Sequence, residues 1–190
     1  MRYDKYEKKG ACHWRGYNRN ESYRGLVEAS ILPFVQVRRG TLVDVGCGDG
    51  LPTCKLSEIG FSVTGVEIEP AGIMWAKKKC TIPVEWICQS VEDFYEDCIK
   101  NNKTFDYLYA LDVIEHLENP EIMVKMMSIV NDFAIIITDD KDKMTIKKPN
   151  PYHKKELTKG DFQKLFKGYS LEEVPLLDER FFAFKIKNKQ

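Results

Sequence analysis

Two short stretches of this sequence combine residue types at spacings that could do chemistry. The first, residues 43–50, reads VDVGCGDG. Gly46 and Gly48 carry no side chains, so a ligand can approach the backbone, and a helix starting just beyond would offer free N–H groups. Glycines alone would also serve a plain strand-to-helix turn. Two acids narrow the choice. Asp44 lies two residues before Gly46, where a carboxylate would repel the pyrophosphate of a dinucleotide and attract an ammonium group. Glu67 ends the next apolar run, about 20 residues beyond the loop, the place from which an acid accepts hydrogen bonds from ribose hydroxyls. The second stretch, residues 111–120, reads LDVIEHLENP. Asp112, Glu115 and His116 stand at i, i+3 and i+4, so one helical turn would project all three to one side. Such a trio either holds a divalent ion or supplies a base.

The elements around these stretches alternate. Apolar runs at 41–45, 61–68, 84–88, 105–111 and 134–138 read as strands. Helical patterns at 51–59, 71–80, 91–99 and 120–130 lie between them. Residues 21–37 form a preceding helix, and Thr158 caps a last one reaching about Lys167. Residues 169–174 and 181–186 read as two closing strands. This alternation predicts an α/β fold: a Rossmann-like, mostly parallel seven-stranded sheet with helices on both faces, as a single domain over 21–190. Ligands then bind at the carboxyl ends of the strands. Residues 1–20, polar and aromatic, read as an arm or lid, with Trp14, Arg15 and Tyr17 its notable side chains. Met123, Met126 and Met127 read as helix core.

Composition excludes several classes. With 190 residues, the chain suits one domain. Lys plus Arg and Asp plus Glu both count 29, so net charge gives no reason to favour nucleic acid as a partner. No apolar run approaches the roughly 20 residues of a membrane span, and the charged start MRYDKYEKKG lacks a signal-peptide core. A cytoplasmic location is the expectation. The six cysteines form no CxxC pair, so reduced thiols are expected and a zinc site is not.

The sequence resembles the class I S-adenosylmethionine-dependent methyltransferases from about Leu42 to Pro120. VDVGCGDG matches their first motif and GVEIEP, residues 65–70, their second. The resemblance implies Gly46, Cys47 and Gly48 beside the methionine end of the cofactor, Asp44 near its ammonium, Glu67 on the ribose and Ile68 against the adenine. QSVEDF, residues 89–94, resembles the third motif, which contacts adenine. Gln89 or Ser90 stands where the family often has Asp, so Ser90 and Val91 become adenine-side candidates, with Leu111 at the end of the fourth strand.

LDVIEHLENP resembles the post-strand motif of ubiquinone-biosynthesis-type O-methyltransferases and of small-RNA 2′-O-methyltransferases. In those relatives a Glu-x-x-Glu-His pattern can bind a divalent metal, and a downstream His completes the RNA-enzyme site. Asp112 replaces the first Glu here, and His153 is the candidate for the last ligand. NPYHKKELT, which contains His153, is similar to a loop beside the acceptor in saccharide-modifying members. The resemblance thus implies methyl transfer to a small molecule or saccharide, with His116 as base, Glu115 orienting it and His153 as second candidate. In this reading no metal is required. The alternative is an RNA enzyme with a metal at Asp112, Glu115, His116 and His153 and a phosphate track including Lys147 and Lys148. Further alternatives are a non-catalytic cofactor-binding module and a nicotinamide dehydrogenase, the latter disfavoured by Asp44.

Overall fold

The computed structural model describes residues 4–37, 39–144 and 150–189; Lys147 and Lys148 lie outside them. Two short helices, α1 (Lys5–Lys9) and α2 (Cys12–Arg19), form the arm, followed by α3 (Glu21–Val35). Strands and helices then alternate: β1 (Thr41–Val45), α4 (Leu51–Glu58), β2 (Ser62–Glu67), α5 (Pro70–Lys79), β3 (Glu85–Cys88), α6 (Val91–Lys100) and β4 (Phe105–Leu111). The chain continues through α7 (Glu121–Met126), β5 (Val130–Asp139), α8 (Lys159–Leu165), β6 (Tyr169–Glu173) and β7 (Phe181–Asn188).

The seven strands make one sheet in the order β3-β2-β1-β4-β5-β7-β6. β1 pairs in parallel with both β2 and β4, and β7 runs antiparallel to both of its neighbours, β5 and β6. The strand order reverses direction at β1 and β4, which opens the crevice where such sheets bind ligands. Period-2 alternation divides the core into two faces. Val43, Val45, Leu108, Ala110, Ala134 and Ile136 pack against Phe94, Met123, Met126 and Phe162 of α6, α7 and α8. Leu42, Tyr107, Tyr109, Ile135 and Ile137 pack against Phe34 of α3 and Leu51 and Leu56 of α4. Truncating a fully buried member such as Leu108 to Ala would cost about 2–5 kcal/mol.

Two expectations are corrected. The segment read as one helix over 120–130 is α7 followed by a 3₁₀ turn, Met127–Ile129, and β5 starts at Val130 rather than at 134. A register shift between Phe105 and Tyr107 places exposed Asn131 and Asp132 in the strand without burying them, which hides its start. The expectation of reduced thiols fails at one pair. Cys54 on α4 and Cys80 at the end of α5 form a disulfide across a Cα–Cα distance of 5.6 Å. Cys12, Cys47, Cys88 and Cys98 are free thiols.

Candidate functional site

β1 ends in a loop whose glycines take conformations that side chains resist. Gly46, Gly48 and Gly50 have φ of 68°, 56° and 78°. A Cβ on Gly46 would collide with Val113. Pro52 sits in the first turn of α4, where its missing N–H is no loss. β2 delivers Glu67 beside this loop. Its Oε2 accepts the Gly48 N–H at 3.0 Å and its Oε1 the Glu69 N–H at 2.8 Å. Burial raises the Glu67 pKa. Asp44 is buried deeper: the Thr53 hydroxyl donates to it at 2.5 Å, and burial raises its pKa to about 7.

A cleft of about 450 Å³ runs along the strand ends. Gly46, Glu67, Ile68, Ser90, Val91 and Leu111 all line it. The Ile68 side chain, 59% exposed, offers an apolar surface where a flat ring could lie. Asp44 and Cys47 instead face a small adjoining cavity of about 50 Å³, shared with Gly46, His13, Tyr23 and Asp112. Gly48 is covered by Tyr6, whose hydroxyl occupies the space a side chain there would need.

The second stretch forms the opposite end of the cleft. Asp112 has φ 60°, unusual for a residue with a side chain, and its N–H donates to Ile137 O at 3.0 Å. A 3₁₀ turn, Ile114–His116, follows. The result brings one donor atom each of Asp112, Glu115, His116 and His153 within 4.8 Å of one another. The N–H groups of Lys154 and Lys155 donate to the Glu115 carbonyl, at 2.8 and 3.1 Å, and hold the loop carrying His153 against the turn. His116 Nδ1 lies 3.0 Å from the Tyr152 carbonyl. That carbonyl can only accept, so Nδ1 carries the hydrogen and Nε2 presents its lone pair.

The cluster is electrostatically tense. Glu115 is 1% exposed and neither of its carboxylate oxygens accepts a hydrogen bond. Burial and then the Asp112 charge push its pKa well up. Burial also opposes ionisation of Asp112, but the neighbouring His116 and the Lys5 charge hold its pKa below the usual range. Nearby Asp139 is raised to about 7 by burial and by Asp112. Burial and the neighbouring His116 lower the His153 pKa, and its Nε2 has no hydrogen-bond partner.

The arm lends Lys5, Tyr6 and His13 to the cleft, and the loop before α8 adds Tyr152 and Lys154. Lys5 Nζ lies 3.7 Å from Asp112 Oδ2, and the Tyr152 hydroxyl donates to Asp4 at 2.7 Å. Of the three arm residues singled out, Trp14 reaches the glycine loop, donating from Nε1 to the Asp49 carbonyl at 2.7 Å. Arg15 bonds the Lys9 carbonyl and Tyr17 bonds Glu28 instead. The density of aromatic residues before α3 was the available signal, and it pointed to the arm without picking Tyr6 or His13.

Comparison with known proteins identifies the family and the fold. A family model described as a methyltransferase domain matches residues 16–156. The ubiquinone biosynthesis O-methyltransferase of Rickettsia typhi is 27% identical over 124 residues, 62% of this chain and 48% of that protein. The enzyme of the same name from Methylobacterium is 32% identical over 88 residues, 45% of this chain and 34% of its own. The chain spans about half the length, or less, of these curated relatives. Among solved structures, magnesium protoporphyrin IX methyltransferase from Synechocystis with bound S-adenosylhomocysteine superposes with a TM-score of 0.73. It is 16% identical, with 98% of this chain and 97% of that one covered. A plantazolicin methyltransferase gives 0.71 at 15% identity, over 96% of this chain and 92% of that one.

Proposed function

Because this chain belongs to the class I S-adenosylmethionine-dependent methyltransferases, we propose that it methylates an oxygen of a small molecule or saccharide bound at the Asp112–His153 end of the cleft. One observation carries the reading. A single cleft has the glycine loop and Glu67 at one end and a carboxylate–imidazole cluster at the other. When bound, S-adenosylmethionine supplies an electrophilic methyl group on a sulfonium leaving group.

The chain's own residues then have limited work to do. Glu67 offers remaining lone pairs to ribose hydroxyls, while Ile68 and Val91 flank the adenine. Ser90 cannot turn its hydroxyl freely, because it already caps α6 by accepting the Asp93 N–H at 3.0 Å. Asp44 and Asp112 bound the small cavity suited to an ammonium group. At the acceptor end, the Nε2 lone pair of His116 can take a hydroxyl proton as the oxygen attacks. The Tyr152 carbonyl orients that ring. Alignment of nucleophile, methyl and sulfur, with water excluded by the arm, supplies the rest.

A metal-dependent form of this reading has its own support. Glu115 is a buried carboxyl group whose oxygens accept no hydrogen bond, and His153 Nε2 likewise makes none, lying 3.8 Å from Asp139 Oδ2. Both face Asp112 and His116, and the Tyr152 carbonyl acts on His116 as an outer-shell partner does in metal sites. Two oxygen and two nitrogen donors fit Mg, Mn or Zn. When bound there, such an ion supplies Lewis acidity to an acceptor hydroxyl.

The test is transfer of labelled methyl groups to phenols, vicinal diols, sugars and short RNAs, with and without a chelator. Label on a small hydroxyl compound is expected. Robust label on an RNA terminal ribose would put the RNA reading first. Full activity in excess chelator would remove the metal.

A further inference from the structure

Neither helix of the N-terminal arm carries a capping side chain of its own. Both are capped from across the molecule by acids, Glu69 lining the cleft and Asp49 buried in the glycine loop. Glu69 accepts the Tyr6 N–H at 3.0 Å through Oε2 and the Glu7 N–H at 2.7 Å through Oε1. Asp49 accepts the His13 N–H at 2.8 Å through Oδ2, and its carbonyl accepts Trp14 Nε1. Asp49 belongs to the glycine loop, and Glu69 follows Glu67 by two residues. Both acids are buried.

Helices of five and eight residues are too short to persist alone in water. Their first N–H groups need acceptors, and a carboxylate there is favoured by charge as well as by hydrogen bonding. The Glu69 side chain caps nothing on its own helix, α5. Once docked, the arm places Tyr6 over the loop. The Tyr6 ring packs 3.1 Å from where a side chain on Gly72 would begin, and its hydroxyl fills the space above Gly48. The arm also ties to the acceptor loop through Asp4 and Tyr152.

We propose that Asp49 and Glu69 are positioning residues that fold the arm onto the cleft, so that arm docking and cofactor retention form one coupled equilibrium. The acids sit on the two loops that would hold the cofactor, so a cofactor that orders those loops also orders the caps. Release of the cofactor then requires the arm to uncap. This inference rests on the cofactor reading above.

Hydrogen exchange over residues 4–19, together with the dissociation rate of S-adenosylhomocysteine, tests it on the full chain. Glu69→Ala should speed arm exchange and dissociation by at least about tenfold each, since bonds to a charged acceptor are lost. Exchange in β1, β4 and β5 should stay unchanged, which separates uncapping from global unfolding. Glu69→Gln, which keeps one acceptor oxygen, should fall between Ala and wild type, and Asp49→Ala should release α2 as Glu69→Ala releases α1. An arm that stays protected in Glu69→Ala overturns the proposal. So does an arm that loses protection while dissociation stays at the wild-type rate. A wild-type protein that does not bind S-adenosylhomocysteine overturns the cofactor reading itself, an outcome distinct from either.

Discussion

At the cofactor end of the cleft, Glu67 gives both oxygens to the backbone amides of Gly48 and Glu69, and Asp44 receives the Thr53 hydroxyl. At the acceptor end, Glu115 is just as buried, yet neither of its oxygens accepts a hydrogen bond. The first arrangement satisfies itself. Its carboxylates shape the loops whether or not a ligand is bound. The second buries a carboxyl group that burial and the Asp112 charge keep protonated and whose oxygens accept no hydrogen bond, which costs folding stability and persists where something from outside compensates it. On this contrast, the cofactor end is scaffold as much as site, while the acceptor end is organised for an incoming group.

The strongest way to break the contrast is to show that the cofactor end also stores a cost. Burial raises the Asp44 pKa from 3.8 to about 7. A carboxyl group with a raised folded-state pKa favours the folded state when protonated. That stability is fully present below the unfolded pKa and is lost as pH rises through about 7. The full shift corresponds to about 4 kcal/mol. Urea melts between pH 4 and pH 8 should therefore show wild type losing more stability than Asp44→Asn; parallel curves would mean the buried acid is fully compensated. Next in size is the reacting end. His116→Ala should lower kcat by about 100-fold or more while leaving S-adenosylhomocysteine affinity near wild type by calorimetry. Equal losses in both would place His116 in the cofactor subsite. Glu67→Ala should do the reverse, weakening binding by about 1–3 kcal/mol.

The same contrast explains what the sequence disclosed. β1 and β4 match their predicted bounds, and α4, α5 and α6 fall within a residue at either end, because their signals are local: apolar runs, Pro52 in a first turn, a Ser90 cap. Asp112, Glu115, His116 and His153 were legible as a group from their spacing and a resemblance, and the structure brings them together. The arm helices were not legible, since the acids that cap them lie at Asp49 and Glu69, up to 63 residues away. Cys54 and Cys80 were missed for a similar reason. They are 26 residues apart, and only the folded chain makes them neighbours.

The smallest expected effect is also the sharpest test of the acceptor end. Glu115→Met replaces a buried carboxylate with an apolar side chain of similar volume, leaving no orphaned oxygens. Such exchanges of an unsatisfied buried polar group for hydrophobic volume are often neutral or stabilising. In protein stripped by a chelator, the variant should be more stable than wild type by about 1 kcal/mol in urea melts. Adding Mg, Mn or Zn should reverse the order. Wild type should gain about 2.7 kcal/mol at a hundredfold excess of free ion over its dissociation constant, and the variant much less. Each half of this result bears on a different claim. A variant that loses stability even without metal would mean that Glu115 is held by contacts within the fold, and the contrast between the two ends would collapse. A variant that gains stability, alongside a wild type indifferent to every divalent ion, would keep the contrast and remove the metal. The compensating group would then have to come from the acceptor itself, as a hydroxyl donor to Glu115.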